Sequence, residues 1–146
     1  MKADWILIAN ATRARLLQQD AKQRVTELES FEHPQGRSKI SELADDRAGA
    51  EHSDRSFGAS AYQPRIDAKQ KEHRRFAREL ADYLEHEAQQ GHYARIDVFA
   101  SSPFLGELKA ELGAATMRLL AGTHDLDLTM VGKAELGRRL AHELAH

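Results

Sequence analysis

The apolar positions of this chain fall into two periods, one near two and one near 3.6, separated by a long stretch with neither. Trp5-Ile6-Leu7-Ile8-Ala9 is an unbroken apolar run rich in β-branched residues, the pattern of a strand buried on both faces. Asn10 to Arg13 then turns the chain, since asparagine tolerates turn geometry and Thr12 can bond locally. Ala14 to Gln18 reads as a second strand, less apolar and so nearer an edge, and Val25 to Phe31 alternates loosely as a third. Short connections between the three predict an antiparallel meander.

From His33 to Pro64 the periodicity lapses. The segment holds Pro34, Gly36, Gly49, Gly58 and Pro64, with Ser38 to Asp46 able to form one short helix capped by Ser38. Loops of this length are functional or disordered, and Gly49 to Gln63 is expected to be mobile unless a partner holds it. Helical spacing resumes at Arg65: Ile66, Lys69, His73, Phe76, Leu80, Tyr83, Leu84 and Glu87 share a face whose apolar part begins at Phe76, and Gly91 ends the helix. Arg95 to Ala100 is a strand with Ile96, Val98 and Ala100 on one side. Ser102, as N-cap, and Pro103, as first residue, open a helix with Phe104, Leu105, Leu108 and Leu112 inward. Thr116 to Ala121 is the fifth strand, and a last helix begins near Gly132 with Leu136, Leu140 and Leu144 facing the core.

The predicted order, β-β-β-α-β-α-β-α, describes an α/β protein with a five-stranded mixed sheet and packed helices, the order of the ribonuclease-H-like superfold. The whole of residues 1–146 is expected to form one domain, with 33–64 as its long, partly mobile loop, and Trp5, Ile6, Leu7, Ile8, Phe76, Leu80, Val98 and Leu108 in its core.

Composition narrows the function. With 41% apolar and 30% charged residues and a net charge of −2, the chain is an ordinary globular protein and not a globally basic nucleic-acid binder, which leaves room for a local basic patch. It has no cysteine, hence no disulfide and no thiolate metal site. The run from Trp5 to Ala9 is too short for a signal sequence and no stretch reaches membrane-spanning length, so a cytoplasmic location without membrane association is expected. Two-metal nucleases need carboxylates that converge on the first strand. Here that strand has none: Asp4 precedes it, Asp97 alternates away from the apolar face of its strand, and Asp125 and Asp127 sit in a turn. No metal site, cofactor or catalytic residue is assigned, and His142 and His146 have no partner at ligand spacing.

Several short motifs recur in a fixed order. Trp5 to Ile8 is followed by Ala11-Thr12-Arg13-Ala14-Arg15, then Asp46-Arg47-Ala48-Gly49, Ser56-Phe57, Tyr62-Gln63-Pro64, Phe76-Ala77-Arg78-Glu79-Leu80-Ala81 and Pro103 to Leu108. In that order the chain resembles, over nearly its full length, a bacterial family called host attachment proteins, regarded as relatives of the central domain of archaeo-eukaryotic class-1 peptide-chain release factors. The resemblance implies a release-factor-like scaffold in which a loop empties into a helix aimed at RNA. One element is missing: where Gly-Gly-Gln would stand the chain reads Phe57-Gly58-Ala59-Ser60, so peptidyl-tRNA hydrolysis by that route is not expected.

The candidate surface follows from charge. Arg65, Lys69, Lys71, Arg74, Arg75 and Arg78 outnumber Asp67 and Glu72, and charge concentrated at a loop–helix junction can grip phosphates. The same residues also suit a solvated helix face with i,i+4 pairs. Arg47, Arg65, Lys69, His73, Arg74 and Arg75 are the candidate RNA- or partner-binding residues, with Phe57, Gly58, Ser60 and Tyr62 as the loop that accompanies them. Three functions compete: a non-catalytic accessory protein associated with the ribosome or another structured RNA, a protein-interaction module acting on attachment without nucleic acid, and a hydrolase that lacks an identifiable nucleophile–base pair. No oligomeric state is legible.

Overall fold

The computed structural model describes residues 3–32 and 58–144, of which 58–67 are described by their backbone alone. Strand β1 (Ala3–Ala9) lies at the centre of a five-stranded sheet because its apolar run satisfies both faces. It pairs antiparallel with β2 (Arg13–Gln19), which pairs antiparallel with β3 (Val25–Glu32). On its other side it pairs in parallel with β4 (Tyr93–Ala100), and β4 with β5 (Leu120–His124), giving the order β3-β2-β1-β4-β5. The meander, the mixed sheet and the boundaries of its first four strands match the sequence reading to within two residues.

Helices cover both faces. Trp5, Leu7, Ala9 and Leu16 on one face meet Phe76, Ala77, Leu80, Ala81 and Leu84 of α1 (Gly58–Gln89) and Phe104 and Leu108 of α2 (Phe104–Glu111). Trp5 stacks on Tyr93, with ring centroids 4.5 Å apart, and all eight core residues expected from the sequence are buried. On the other face Ile6, Ile8, Leu17 and Phe99 pack against Leu128 and against Leu136 and Leu140 of α4 (Lys133–Leu144). Gly91 closes α1 as expected. With φ at 74° it lets its amide reach the Ala88 carbonyl and the His92 amide the Glu87 carbonyl, the paired bonds of a Schellman motif.

Four expectations need correction. Helix α1 begins at Gly58 and not Arg65, so Gly58, Ser60, Tyr62 and Pro64 belong to a helix and not to the loop. Alanines 59 and 61 are strong helix formers, and the helix continues through Pro64 although proline there removes the bond to the preceding turn and crowds its carbonyl. The rest of the expected loop, with the short helix proposed at Ser38 to Asp46, lies outside the described residues. Residues 116–119 are helical: α3 (Ala114–Leu119) precedes β5, which starts only at Leu120, so the element order gains one helix over the predicted one. Ser102 does not cap α2; Pro103 is its N-cap residue and no side chain bonds there. Finally, the buried row of α1 runs through Glu72, Phe76, Leu80 and Leu84 at four-residue spacing, while Lys69 is exposed and His73 half-buried. Among the described residues no helix is long and apolar enough to cross a membrane.

Candidate functional site

Because β1, β4 and β5 are parallel, their carboxyl ends lie along one edge of the sheet, the end at which open α/β sheets present their loops to ligands. The loops leaving those ends are tied together by short polar side chains. Asn10, just past β1, accepts at Oδ1 from the amides of Thr12 and Arg13 and from the Thr12 hydroxyl, and so shapes the turn into β2. Its Nδ2 donates to Asp127 Oδ2 at 3.2 Å and to Thr129 Oγ1 at 3.1 Å, which ties the loop after β5 to the loop after β1. Asp127 in turn accepts from the Thr129 amide and hydroxyl at 2.8 and 2.6 Å. Burial acts to raise the Asp127 pKa, but the Thr129 and Asn10 hydrogen bonds and the charge of Arg13 outweigh it and leave the carboxyl below its usual range. Asp125 holds the β4–α2 connection by accepting from the Ser102 amide and hydroxyl at 3.1 and 2.8 Å. Arg15 completes the rim, donating to the Thr129 and Val131 carbonyls at 3.3 and 2.9 Å.

Helix α1 starts at this same end, since it must run antiparallel to β4 to connect the two. Its 32 residues span about 48 Å at 1.5 Å per residue. The strands beneath, seven or eight residues long, span only about 25 Å. Helix α1 ends where β4 begins, so its excess length falls at its start. Among the described side chains the buried positions run from Glu72 to Leu84, and the turns before Glu72 extend past the rim of the sheet. This overhang results from the mismatch of lengths between α1 and the strands it packs on.

The predicted site residues divide accordingly. Lys69, Arg74 and Arg75 are exposed on α1 beside Lys71 and Arg78, and His73 is half-buried among them. Arg75 approaches Glu72 at 3.5 Å and Arg78 approaches Glu111 of α2 at 3.5 Å. Lys69, Lys71 and Arg74 make no ion pair among the described residues. Gly58, Ser60, Tyr62 and Arg65 lie along the α1 backbone before them. Arg47 and Phe57 lie outside the described residues.

Two clusters escaped the sequence reading. Asn10 looked like a turn residue, and nothing local announced that it would join residues 127 and 129. The second is Asp97, only 6% exposed, whose Oδ1 lies 3.2 Å from His124 Nε2 and Oδ2 3.5 Å from Arg95 Nη2. The His124 ring stacks on Phe99 with centroids 4.2 Å apart, and this fixes its position. Strand alternation did place Asp97 opposite Ile96 and Val98; what it could not supply was β5 as the neighbour. Among the described residues no three ligating side chains gather to hold a metal ion.

No curated protein matches the chain. A family model does: residues 5–140 match the family described as "Protein required for attachment to host cells", which takes in all of the described strands but the first two residues of β1, and all but the last turn of α4. The chain belongs to that host attachment family.

Proposed function

We propose that this protein is a non-catalytic accessory or regulatory member of the host attachment family that docks on structured RNA, the ribosome foremost, through the overhanging first half of α1. The observation that carries the reading is the overhang itself: exposed Lys69 and Lys71 on turns that extend beyond the sheet, continued by exposed Arg74 and Arg75 on the turn that follows. Cations held clear of the body of a slightly acidic protein can reach phosphates without bringing the acidic surface with them. The strand order β3-β2-β1-β4-β5 supports a ribonuclease-H-like, release-factor-like scaffold, in which the corresponding helix faces RNA. Phe57-Gly58-Ala59-Ser60 in place of Gly-Gly-Gln, with the backbone helical from Gly58, argues against peptidyl-tRNA hydrolysis. An effect on host attachment then follows indirectly, through which proteins are made.

The test is co-sedimentation with ribosomes, and binding to a structured RNA, across a range of salt concentrations. Binding should weaken with salt, and Arg74→Ala with Arg75→Ala should lower the slope of log affinity against log salt by roughly two, about one per lost phosphate contact. If the parent binds neither target at low salt, or the folded double variant binds as the parent does, the basic turns are a solvated face. The protein-interaction reading would then replace this one.

A further inference from the structure

The sheet face opposite α1 carries a groove of about 420 Å³ between β2–β3 and the first turns of α4. Its apolar floor is Leu17, Val25 and Leu136, and Arg15, Arg24 and Lys133 stand around it, Arg15 beside Glu27 and Arg24 paired with Asp20 at 3.0 Å. The volume falls within the ~300–1,000 Å³ range of small-molecule sites. Three features set it apart from a chance depression. Arg15 is held in place by the Thr129 and Val131 carbonyls and by Glu27 at 3.4 Å, so its charge is positioned before any ligand arrives. Lys133, exposed at the start of α4, makes no ion pair among the described residues. Gly137 lies inside a helix, where glycine is destabilising, yet a Cβ there would meet no atom within 4 Å. No packing requirement explains that glycine. Its place in the groove wall does, because any side chain there would take up the space.

We infer that this groove binds a small organic anion: one apolar ring or short chain on Leu17, Val25 and Leu136, with an anionic head group between Lys133 and Arg24. Arg15 is paired with Glu27 and Arg24 with Asp20, so the unpaired positive charge at the groove is that of Lys133; it favours an anionic occupant, and the apolar floor favours an organic one over a bare inorganic ion. The site lies on the face of the sheet away from α1 and does not depend on RNA binding.

The probe is 8-anilinonaphthalene-1-sulfonate, followed by its fluorescence, with octanoate, phenyl phosphate and inorganic phosphate as competitors. The parent should show saturable one-site binding, displaced by octanoate or phenyl phosphate; whichever competes better identifies the head group. Gly137→Leu should weaken probe binding at least tenfold, and Lys133→Glu several-fold, each with an unchanged circular dichroism spectrum. Lys133 and Arg24 are exposed, so Lys133→Glu and Arg24→Glu keep the test decisive should the leucine variant misfold. The inference falls if the parent shows no saturable binding, if both charge-reversal variants bind as the parent does, or if inorganic phosphate displaces the probe as well as phenyl phosphate.

Discussion

The carboxylate of Glu85, on α1, grips Thr116 at the start of α3. Its Oε1 accepts from the Thr116 amide at 3.0 Å and from the hydroxyl at 3.1 Å, and Oε2 accepts from the Ala115 amide at 3.2 Å. These amides are orphan donors of a six-residue helix, too short to persist on its own bonds. The Tyr93 hydroxyl adds a second tether, donating to the Leu84 carbonyl at 2.9 Å and lying 3.4 Å from Thr116 Oγ1. The fold of α3 is therefore set by residues about thirty positions earlier.

Gly113→Ala tests how tightly that grip is set. A Cβ on Gly113 would overlap Glu85 Oε1 and Cδ. The backbone there, at φ −82°, would accept alanine, so any loss comes from displacing the carboxylate. Stability should fall by about 1–3 kcal/mol in urea or thermal unfolding, as for other overpacked sites. A loss under half a kcal/mol would mean that Glu85 has room to retreat without releasing α3.

The same carboxylate should leave a mark on the pH dependence. The Thr116 amide bond is the main cause that holds the Glu85 pKa below its usual value; desolvation opposes it, and the bonds from Ala115, Gln89 and the Thr116 hydroxyl assist. A depressed folded-state pKa means that the unfolded chain binds more protons in this range, so the stabilisation is present above the unfolded value near 4.5 and is lost as pH falls through the lower folded value. Glu85→Gln removes the titration. The parent should lead the variant by a constant margin at neutral pH, and the margin should shrink below about pH 4.5. Parallel stability curves down to pH 3 would rule out this role for the charge.

Asn10 makes a different prediction, because it donates on one side and accepts on the other. In Asn10→Asp the acceptor bonds to Thr12 and Arg13 survive, but an oxygen replaces the Nδ2 that now faces Asp127 Oδ2 at 3.2 Å. Two carboxylates at that distance repel. The variant should lose about 1–3 kcal/mol at neutral pH and recover part of it in acid, as one of the pair takes a proton. Asn10→Ala, which loses every bond but adds no charge, should show no such recovery. Equal pH profiles for the two variants would contradict the contact.

How much of this was legible in the sequence depended on the range of the interactions. Trp5 to Ala9 announced a central strand because an unbroken apolar run has only one place to go, and Phe76, Leu80 and Leu84 carried their own period. Thr116 to Ala121, by contrast, looks like a strand in isolation, and its first part is helical where the distant Glu85 carboxylate caps it. Pro64 and the glycine before it suggested a helix boundary that the alanines around them overrode. Of the candidate site, the run of basic residues could be read directly. Its projection beyond the sheet could not, since it depends on comparing the length of α1 with that of strands elsewhere in the chain. The Asn10–Asp127 tie and the groove beside α4 join segments more than a hundred residues apart, and no local pattern encodes them.

Leu80→Ala tests the phase of α1. Leu80 is 1% exposed, in the row shared by Phe76 and Leu84 that faces Trp5 and Leu7. Its truncation should cost about 2–5 kcal/mol, the range for buried leucines. Glu79→Ala, one position away on the exposed side, should change stability by less than about half a kcal/mol. Similar losses at both positions would place the buried face elsewhere.

Gly137→Ala should make the protein more stable, and that gain bears on why glycine is there. Alanine in place of glycine within a helix is worth about 0.5–1 kcal/mol where the new methyl is tolerated, and at Gly137 nothing lies within 4 Å of it. For a protein of 146 residues this corresponds to a rise of roughly 2–4 °C in melting temperature. Gly106, inside α2 and equally open, provides the control: Gly106→Ala should stabilise in the same way, yet it lies outside the lining of this groove. The two variants must then part in ligand binding. Gly106→Ala should bind 8-anilinonaphthalene-1-sulfonate like the parent, while Gly137→Ala should bind it more weakly. If both stabilise and neither affects binding, Gly137 is an unoptimised helix position and its link to the groove is gone. If Gly137→Ala destabilises while Gly106→Ala does not, the space beside α4 is already filled.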